Sequence, residues 1–491
     1  MKRLAFSLLA LLAGPAGAAP DGAALYQAKC AACHGAERLG GVGPALLPEN
    51  LGRLGKTGAE KVIRDGRAGT QMPAFDAELD DDSLTALADF VTAAPAVAPV
   101  WGRAQIEGSR VLTPAPPAAH PVYAGDPLNL FVVVEGGDHH VSIVDGDTFT
   151  PIFRFPSRFA LHGGPKFTPD GRYVFFSSRD GWVTKFDLWT LKVTAEIRAG
   201  INSRNIALSK DGRHVAVANY LPDSLVILSA GDLSVERIFD VADASGKASR
   251  VSAVYQAPPR ESFIAALKDA PEIWEISTAP GDLFRLRRIA LSTPLDDFFF
   301  DPAYRDVLGA HRDGDKALVV DLDSGREIAT VPLPGLPHLG SGISWLRDGR
   351  RVMATPHLKD GRISVIDTTD WKVIAEIPTA GPGYFLRSHQ DSPFAWADSS
   401  LSPQHRDEIQ IIDKQALKVV RILKPAPGKT TAHVEFDRSG KHALVSVMDK
   451  DGALIVYDAD TFQEIKRLPM SKPIGKYNVY NKITFSEGTS H

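Results

Sequence analysis

Three patterns of apolar and polar residues follow one another along the chain. Leu4 to Ala13 are almost wholly apolar behind Lys2 and Arg3, and the run closes on the small residues Ala16-Gly17-Ala18. A basic start, a short apolar stretch and a small-residue exit together read as a cleavable export signal over residues 1–18. The stretch is too short to span a bilayer, so the mature chain is expected to begin near Ala19, in the periplasm. Leu84, Leu87, Ala88 and Val91 then recur at helical spacing behind Asp81, Asp82 and Ser83, and Gly22 to Gln27 reads as an earlier helix start. Pro95, Pro99, Pro114, Pro116, Pro117 and Pro121 mark residues 95–125 as a linker, which its composition predicts to be stiff and extended.

From residue 126 the pattern changes to short strands between turn signals. Pro169-Asp170-Gly171-Arg172 returns as Lys210-Asp211-Gly212-Arg213, Arg347-Asp348-Gly349-Arg350 and Arg438-Ser439-Gly440-Lys441, each followed by an apolar strand. A second strand runs into an acidic turn at Asp187-Leu188-Trp189-Thr190, Asp367-Thr368-Thr369-Asp370 and Asp458-Ala459-Asp460-Thr461. A repeat of about 45 residues holding four strands is the mark of a propeller blade. Residues 126–485 hold eight such repeats. The expected architecture is multidomain: a small all-α domain over 19–94, the linker, and an all-β eight-bladed propeller over 126–491.

Charge narrows the functional classes. Fifty-five Lys and Arg against fifty-nine Asp and Glu give a net charge of −4, which leaves no concentrated basic surface for nucleic acid. After the export signal, no segment reads as a membrane span.

The chemistry starts at the only two cysteines, which stand in Cys30-Ala31-Ala32-Cys33-His34. Two thiols at this spacing can each add to a vinyl group of one haem, with His34 beneath the iron. Zinc would need further ligands at a matching spacing. Gly43-Pro44-Ala45-Leu46 resembles the proline loop that small cytochromes c lay along the haem edge, and Arg67 to Phe75 resembles the loop from which they present an axial Met, here Met72. A thioether ligand raises the haem potential and fits electron transfer. The first domain therefore reads as a cytochrome c with one covalent haem c.

A propeller alone does not reveal function, but its histidines fall into classes by position. His214 and His442 follow the repeated turns and read as strand-surface residues. His162, His338, His357, His389 and His433 lie at junctions from which a side chain can reach a central channel.

Phe159-Ala160-Leu161-His162, Arg179-Asp180-Gly181, Asp187-Leu188-Trp189 and the run Pro473 to Asn481, with the haem-c motif and the propeller, resemble the haem-c/haem-d1 nitrite reductases and their relatives in haem d1 biosynthesis. The resemblance implies that His162 ligates the iron of a d1-type haem. It also implies that Arg179 and Arg204 pair with the carboxylates of that tetrapyrrole, as guanidinium forks do. His338 matches one of the two distal histidines of the reductases. The other position falls in Pro294 to Phe298, where the nearest match is Asp296, and a carboxylate there would repel nitrite. His433 stands where the reductases lack a histidine. The pattern is most similar to the periplasmic dihydro-haem d1 dehydrogenases, which oxidise a propionate side chain to an acrylate as the last step of haem d1 synthesis. That implies a d1-type haem as bound substrate and product, and His433, His338 and Tyr477 as the catalytic groups. It further implies an external electron acceptor such as a small periplasmic cytochrome, and nitrite reductase as recipient of the finished haem. A nitrite reductase and a non-catalytic d1 carrier are the alternatives.

Overall fold

The computed structural model describes residues 19–41, 43–52, 54–67, 72–114, 118–311 and 315–489. The export signal expected over 1–18, residues 68–71 of the methionine loop, and Pro116 and Pro117 lie outside them.

The first domain is helical. Asp21 caps Gly22–Lys29 by accepting from the Ala23 and Ala24 amides (2.9 and 3.2 Å), and Asp80 caps Asp81–Thr92 through the Ser83 amide (2.9 Å). Each cap satisfies backbone donors that the helix cannot. The face anticipated from spacing, Leu84, Leu87, Ala88 and Val91, packs with Tyr26, Cys30, Ala59, Ile63 and Phe75 into a core of its own. Ala31–His34, Pro48–Leu51 and Gly55–Asp65 complete the fold.

Among the described residues, eight sheets make up the rest, each of four strands except one with five. The repeated turns behave as their residues require. Gly171, Gly212, Gly349 and Gly440 all have φ between +71° and +77°, where a side chain would be strained. Asp187, Asp367 and Asp458 each accept a backbone N–H two residues on (2.9, 2.8 and 3.1 Å), the turn that an Asp side chain favours. Middle strands such as Ser224–Ser229 are buried almost throughout, because blades cover both their faces. Outer strands such as Arg326–Pro332 are largely exposed.

Apolar clusters fill the seams between consecutive blades. Ile206, Val217 and Val226 meet Phe175 and Ile197 across one seam. Phe131 and Val133 meet Leu444 and Val456 across the last. The ring closes there because Pro473–Asn478, from the far end of the chain, pairs as the innermost strand beside Leu130–Glu135. First and last repeats therefore share one blade, which closes the ring.

The linker departs from the extended spacer expected. Arg103–Gly108 is helical, its Ile106 is buried in the seam between the second and third blades, and Val111–Leu112 adds a fifth strand to the second blade. Buried Ile106 and the strand pairing hold to the propeller a segment that composition alone portrays as free.

Candidate functional site

On the propeller axis lies a cavity of about 470 Å³, to which every blade contributes from its innermost strand or the turn before it. His162, Arg179, Arg204, His338, His433 and Tyr477 all line it. Three of the five junction histidines thus reach one space. The other two do not: His357 is fully buried beside the Ser364 hydroxyl (2.8 Å), and His389 is buried with its Nδ1 accepting from the Asp391 amide (3.2 Å). His214 is not a surface residue either, being 6% exposed with its Nδ1 2.7 Å from Glu236.

His162 is fixed by its backbone and its ring. Its amide donates to the Ser177 carbonyl (2.9 Å), the Ser177 hydroxyl donates back to its carbonyl (2.7 Å), and its Nδ1–H donates to the Arg204 carbonyl (2.9 Å). Nε2 is left as the acceptor, 3.0 Å from Arg179 Nη2. A carbonyl behind Nδ1 sets the tautomer that a metal ligand requires. His338 is arranged alike, its Nδ1–H donating to the Tyr384 carbonyl (2.7 Å).

His433 differs in every respect. It is 1% exposed, and among the described residues neither ring nitrogen has a hydrogen-bond partner. Its ring packs against Phe385 (4.6 Å) and Tyr477 (5.1 Å). The residue is the extra one of a β-bulge between Ala432 and Val434, with φ +52°. Such a conformation is uncommon for a side chain this large and re-aims it out of the regular alternation. Burial, then the charges of Lys476, Arg387 and Lys482, push its pKa well below the usual imidazole value. Tyr477 moves the other way: burial lifts its phenol to about 12. Gly164 and Gly475 leave room for that side chain, since a Cβ would sit 3.2 Å from its ring at Gly164 and 2.8 Å from its hydroxyl at Gly475.

Sequence reasoning missed several groups around the cavity. Arg387 is 3% exposed, with its Nη1 donating to the Leu386 carbonyl (2.8 Å) and its Nε unpartnered. Lys476 is fully buried, donating to the His433 carbonyl and to Ser446 Oγ. Glu435 is its neighbouring carboxylate, with Oε2 unpartnered and its pKa raised by burial. The acidic position also shifts. A bulge between Leu295 and Asp297 places Asp297 in the cavity wall, accepting from Tyr255 Oη (3.1 Å) and the Gly340 amide (2.7 Å). Asp296, the match expected from sequence, pairs instead with Lys268 (2.8 Å).

In the helical domain His34 is 7% exposed, and its Nδ1–H donates to the Pro44 carbonyl (2.8 Å), which leaves Nε2 as a ligand atom. Cys30 and Cys33 are not joined to each other. Met72 packs in the same core as Cys30. Gly43 is needed beside the imidazole, since a Cβ there would come within 2.7 Å of it. Two free thiols, an oriented imidazole and a core thioether fit a covalent haem c.

Comparison with known proteins gives matching results. Residues 125–482 match the model of the cytochrome D1 heme domain, and residues 17–91 match that of the cbb3-type cytochrome c oxidase subunit III. A dihydro-heme d1 dehydrogenase of Pseudomonas aeruginosa is 57% identical over 99% of both chains. A nitrite reductase of Stutzerimonas stutzeri is 25% identical over 94% of this chain and 92% of its own. The solved structure of dihydro-heme d1 dehydrogenase NirN in complex with DHE superposes with a TM-score of 0.91 at 56% identity, covering 94% of this chain and all of that one.

Proposed function

The chain belongs to the cytochrome d1 heme-domain family, and from that premise we propose that it is an oxidoreductase, a dihydro-haem d1 dehydrogenase. It converts one propionate side chain of its tetrapyrrole substrate to an acrylate, the last step in making haem d1. The observation that carries this reading is His433: a neutral, unpartnered imidazole turned into the cavity by a bulge, beside a protonated phenol.

The reaction breaks two C–H bonds, forms one C=C bond and releases two protons and two electrons. His162 Nε2 ligates the substrate iron, its Nδ1–H held by the Arg204 carbonyl. Arg179, Arg204 and Arg387 face the substrate carboxylates, where charged forks form the strongest hydrogen bonds. A ring nitrogen of His433 accepts a proton. Without substrate, burial first and then the neighbouring cations hold that imidazole neutral, so it arrives unprotonated. Substrate carboxylates beside those cations offset them and raise its basicity toward the working range. Tyr477 stays protonated, with a phenol pKa of about 12, and serves as a donor, not a base. His338 Nε2 faces the same space and is the second proton acceptor. Haem c, when bound to Cys30, Cys33, His34 and Met72, supplies a one-electron acceptor, and an external one-electron acceptor such as a small periplasmic cytochrome takes the two electrons in turn. Asp297 in the cavity wall disfavours a nitrite anion there.

We place the protein in the periplasm, with residues 1–18 as its export signal, 95–125 joining the two domains, and nitrite reductase as recipient of the product. No helix among the described residues is long and apolar enough to cross a membrane. Anaerobic addition of dihydro-haem d1 to oxidised holoprotein tests the reading: haem c is reduced on mixing. Tight pigment binding with haem c left oxidised would support the carrier alternative instead.

A further inference from the structure

A buried guanidinium spans the contact between the two domains. Arg198 ends the strand Lys192–Arg198 of the second blade, the one that Val111–Leu112 pairs with, and is 6% exposed. Its Nε donates to the Asp180 carbonyl (2.8 Å), and its Nη2 donates to the carbonyl of Leu39 in the helical domain. Trp101, from the linker, lies under the guanidinium at 4.7 Å and donates its Nε1–H to the Arg198 carbonyl (3.0 Å). The Asp180 side chain, 3% exposed, is the neighbouring counter-charge. Gly40 permits the approach, since a Cβ there would lie 3.1 Å from Arg198 Nη2.

Both ends of this contact lead to a haem-ligand position. On one side the Gly40 amide donates to the His34 carbonyl (2.8 Å), and the same loop runs on to Pro44, whose carbonyl holds His34 Nδ1. Ala45 and Leu47 of that loop pack with Ile201, Leu39, Trp101 and Leu221. On the other side Asp180 lies three residues beyond Ser177, which is bonded twice to the backbone of His162. A continuous chain of backbone and hydrogen bonds thus runs from His34 through Gly40, Leu39, Arg198, Asp180 and Ser177 to His162. None of its links uses a ring nitrogen that a haem would claim.

We propose that Arg198 is a positioning residue for electron exit: it clamps the haem-c loop onto the hairpin that carries His162 and so fixes the separation of the two haem sites. This rests on the dehydrogenase reading. Each of the two substrate electrons crosses that separation singly, reducing haem c, which the external one-electron acceptor reoxidises between transfers. A buried guanidinium suits the task because its planar fork meets two carbonyls at once and stays charged, which a lysine cannot reproduce.

The test uses holoprotein with oxidised haem c, as wild type, Arg198→Ala and Arg198→Lys. Pigment binding by titration, the rate of haem c reduction on anaerobic mixing, and tryptic cleavage at Arg103 and Arg110 are measured for each. Both variants are expected to bind dihydro-haem d1 like wild type, to reduce haem c more slowly by on the order of 10²-fold for Ala and less for Lys, and to be cut faster. The slowed reduction at unchanged pigment affinity separates this role from general destabilisation. Wild-type reduction rates in both variants, or linkers cut no faster than in wild type, overturn the proposal. Failure of wild type itself to reduce haem c overturns the dehydrogenase reading first, and the proposal with it.

Discussion

The imidazole of His433 meets the ring of Tyr477 nearly edge-on, with centroids 5.1 Å apart and planes at 74°. The two residues belong to different blades and are brought together only because the last strand, Pro473–Asn478, returns to close the first blade. Their ionisation is pushed in opposite directions, the imidazole held neutral and the phenol held protonated. One pair therefore offers an acceptor and a donor at neutral pH.

His433→Ala is expected to retain pigment binding, because His162 and the arginines remain, and to lose turnover by roughly 10²–10⁴-fold, the usual worth of a positioned base. Binding by optical titration beside single-turnover rates checks both halves. Full activity in this variant would remove the base.

Tyr477→Phe probes the donor. With its pKa near 12, the phenol contributes no titration to the rate between pH 6 and 10. The variant should turn over more slowly at every pH in that range while keeping the acid limb of the wild-type profile, which belongs to the imidazole. A variant whose acid limb disappears would transfer the base role to Tyr477.

Arg387→Met removes a buried cation that faces the cavity and lowers the His433 pKa. Loss of a charge-assisted bond to a substrate carboxylate weakens binding by about 2 kcal/mol, roughly 30-fold in Kd. The acid limb of the rate profile should also move to higher pH, since one cation fewer opposes imidazole protonation. Unchanged affinity would take Arg387 out of carboxylate recognition.

These residues also show what could be read in advance. The CxxCH motif, the helix of Asp81–Thr92 and the propeller period were legible because covalent spacing, a 3.6-residue stripe and recurrent Asp-Gly turns are local signals. Ring closure by Pro473–Asn478 was not, since pairing with Leu130–Glu135 links opposite ends of the chain. Asp296 was chosen over Asp297 because no sequence signal marks the bulge that exchanges the faces of neighbouring residues. Arg387 and Lys476 stand in strands with nothing to distinguish them from solvated cations, and only the convergence of blades buries them.

Acid should destabilise the fold through its buried neutral histidines. His357 is held down to about 4 by burial and by Arg362, against an unfolded value near 6.5. Above pH 6.5 neither state binds the proton. Below it only the unfolded state does, so stability falls as pH drops from 6.5 toward 4. Each such group costs about 1.4 kcal/mol per pH unit within that window. Urea midpoints at pH 7 and pH 5 should differ less in His357→Asn than in wild type, and an equal difference would exclude this origin.

The most direct measurement concerns the pigment itself. Purified holoprotein with oxidised haem c is loaded with dihydro-haem d1, and the extracted tetrapyrrole is weighed by mass spectrometry before and after incubation with a one-electron acceptor. The account predicts a loss of two hydrogens that requires the protein and keeps step with reduction of two equivalents of the acceptor through haem c. A bound pigment of unchanged mass would contradict it.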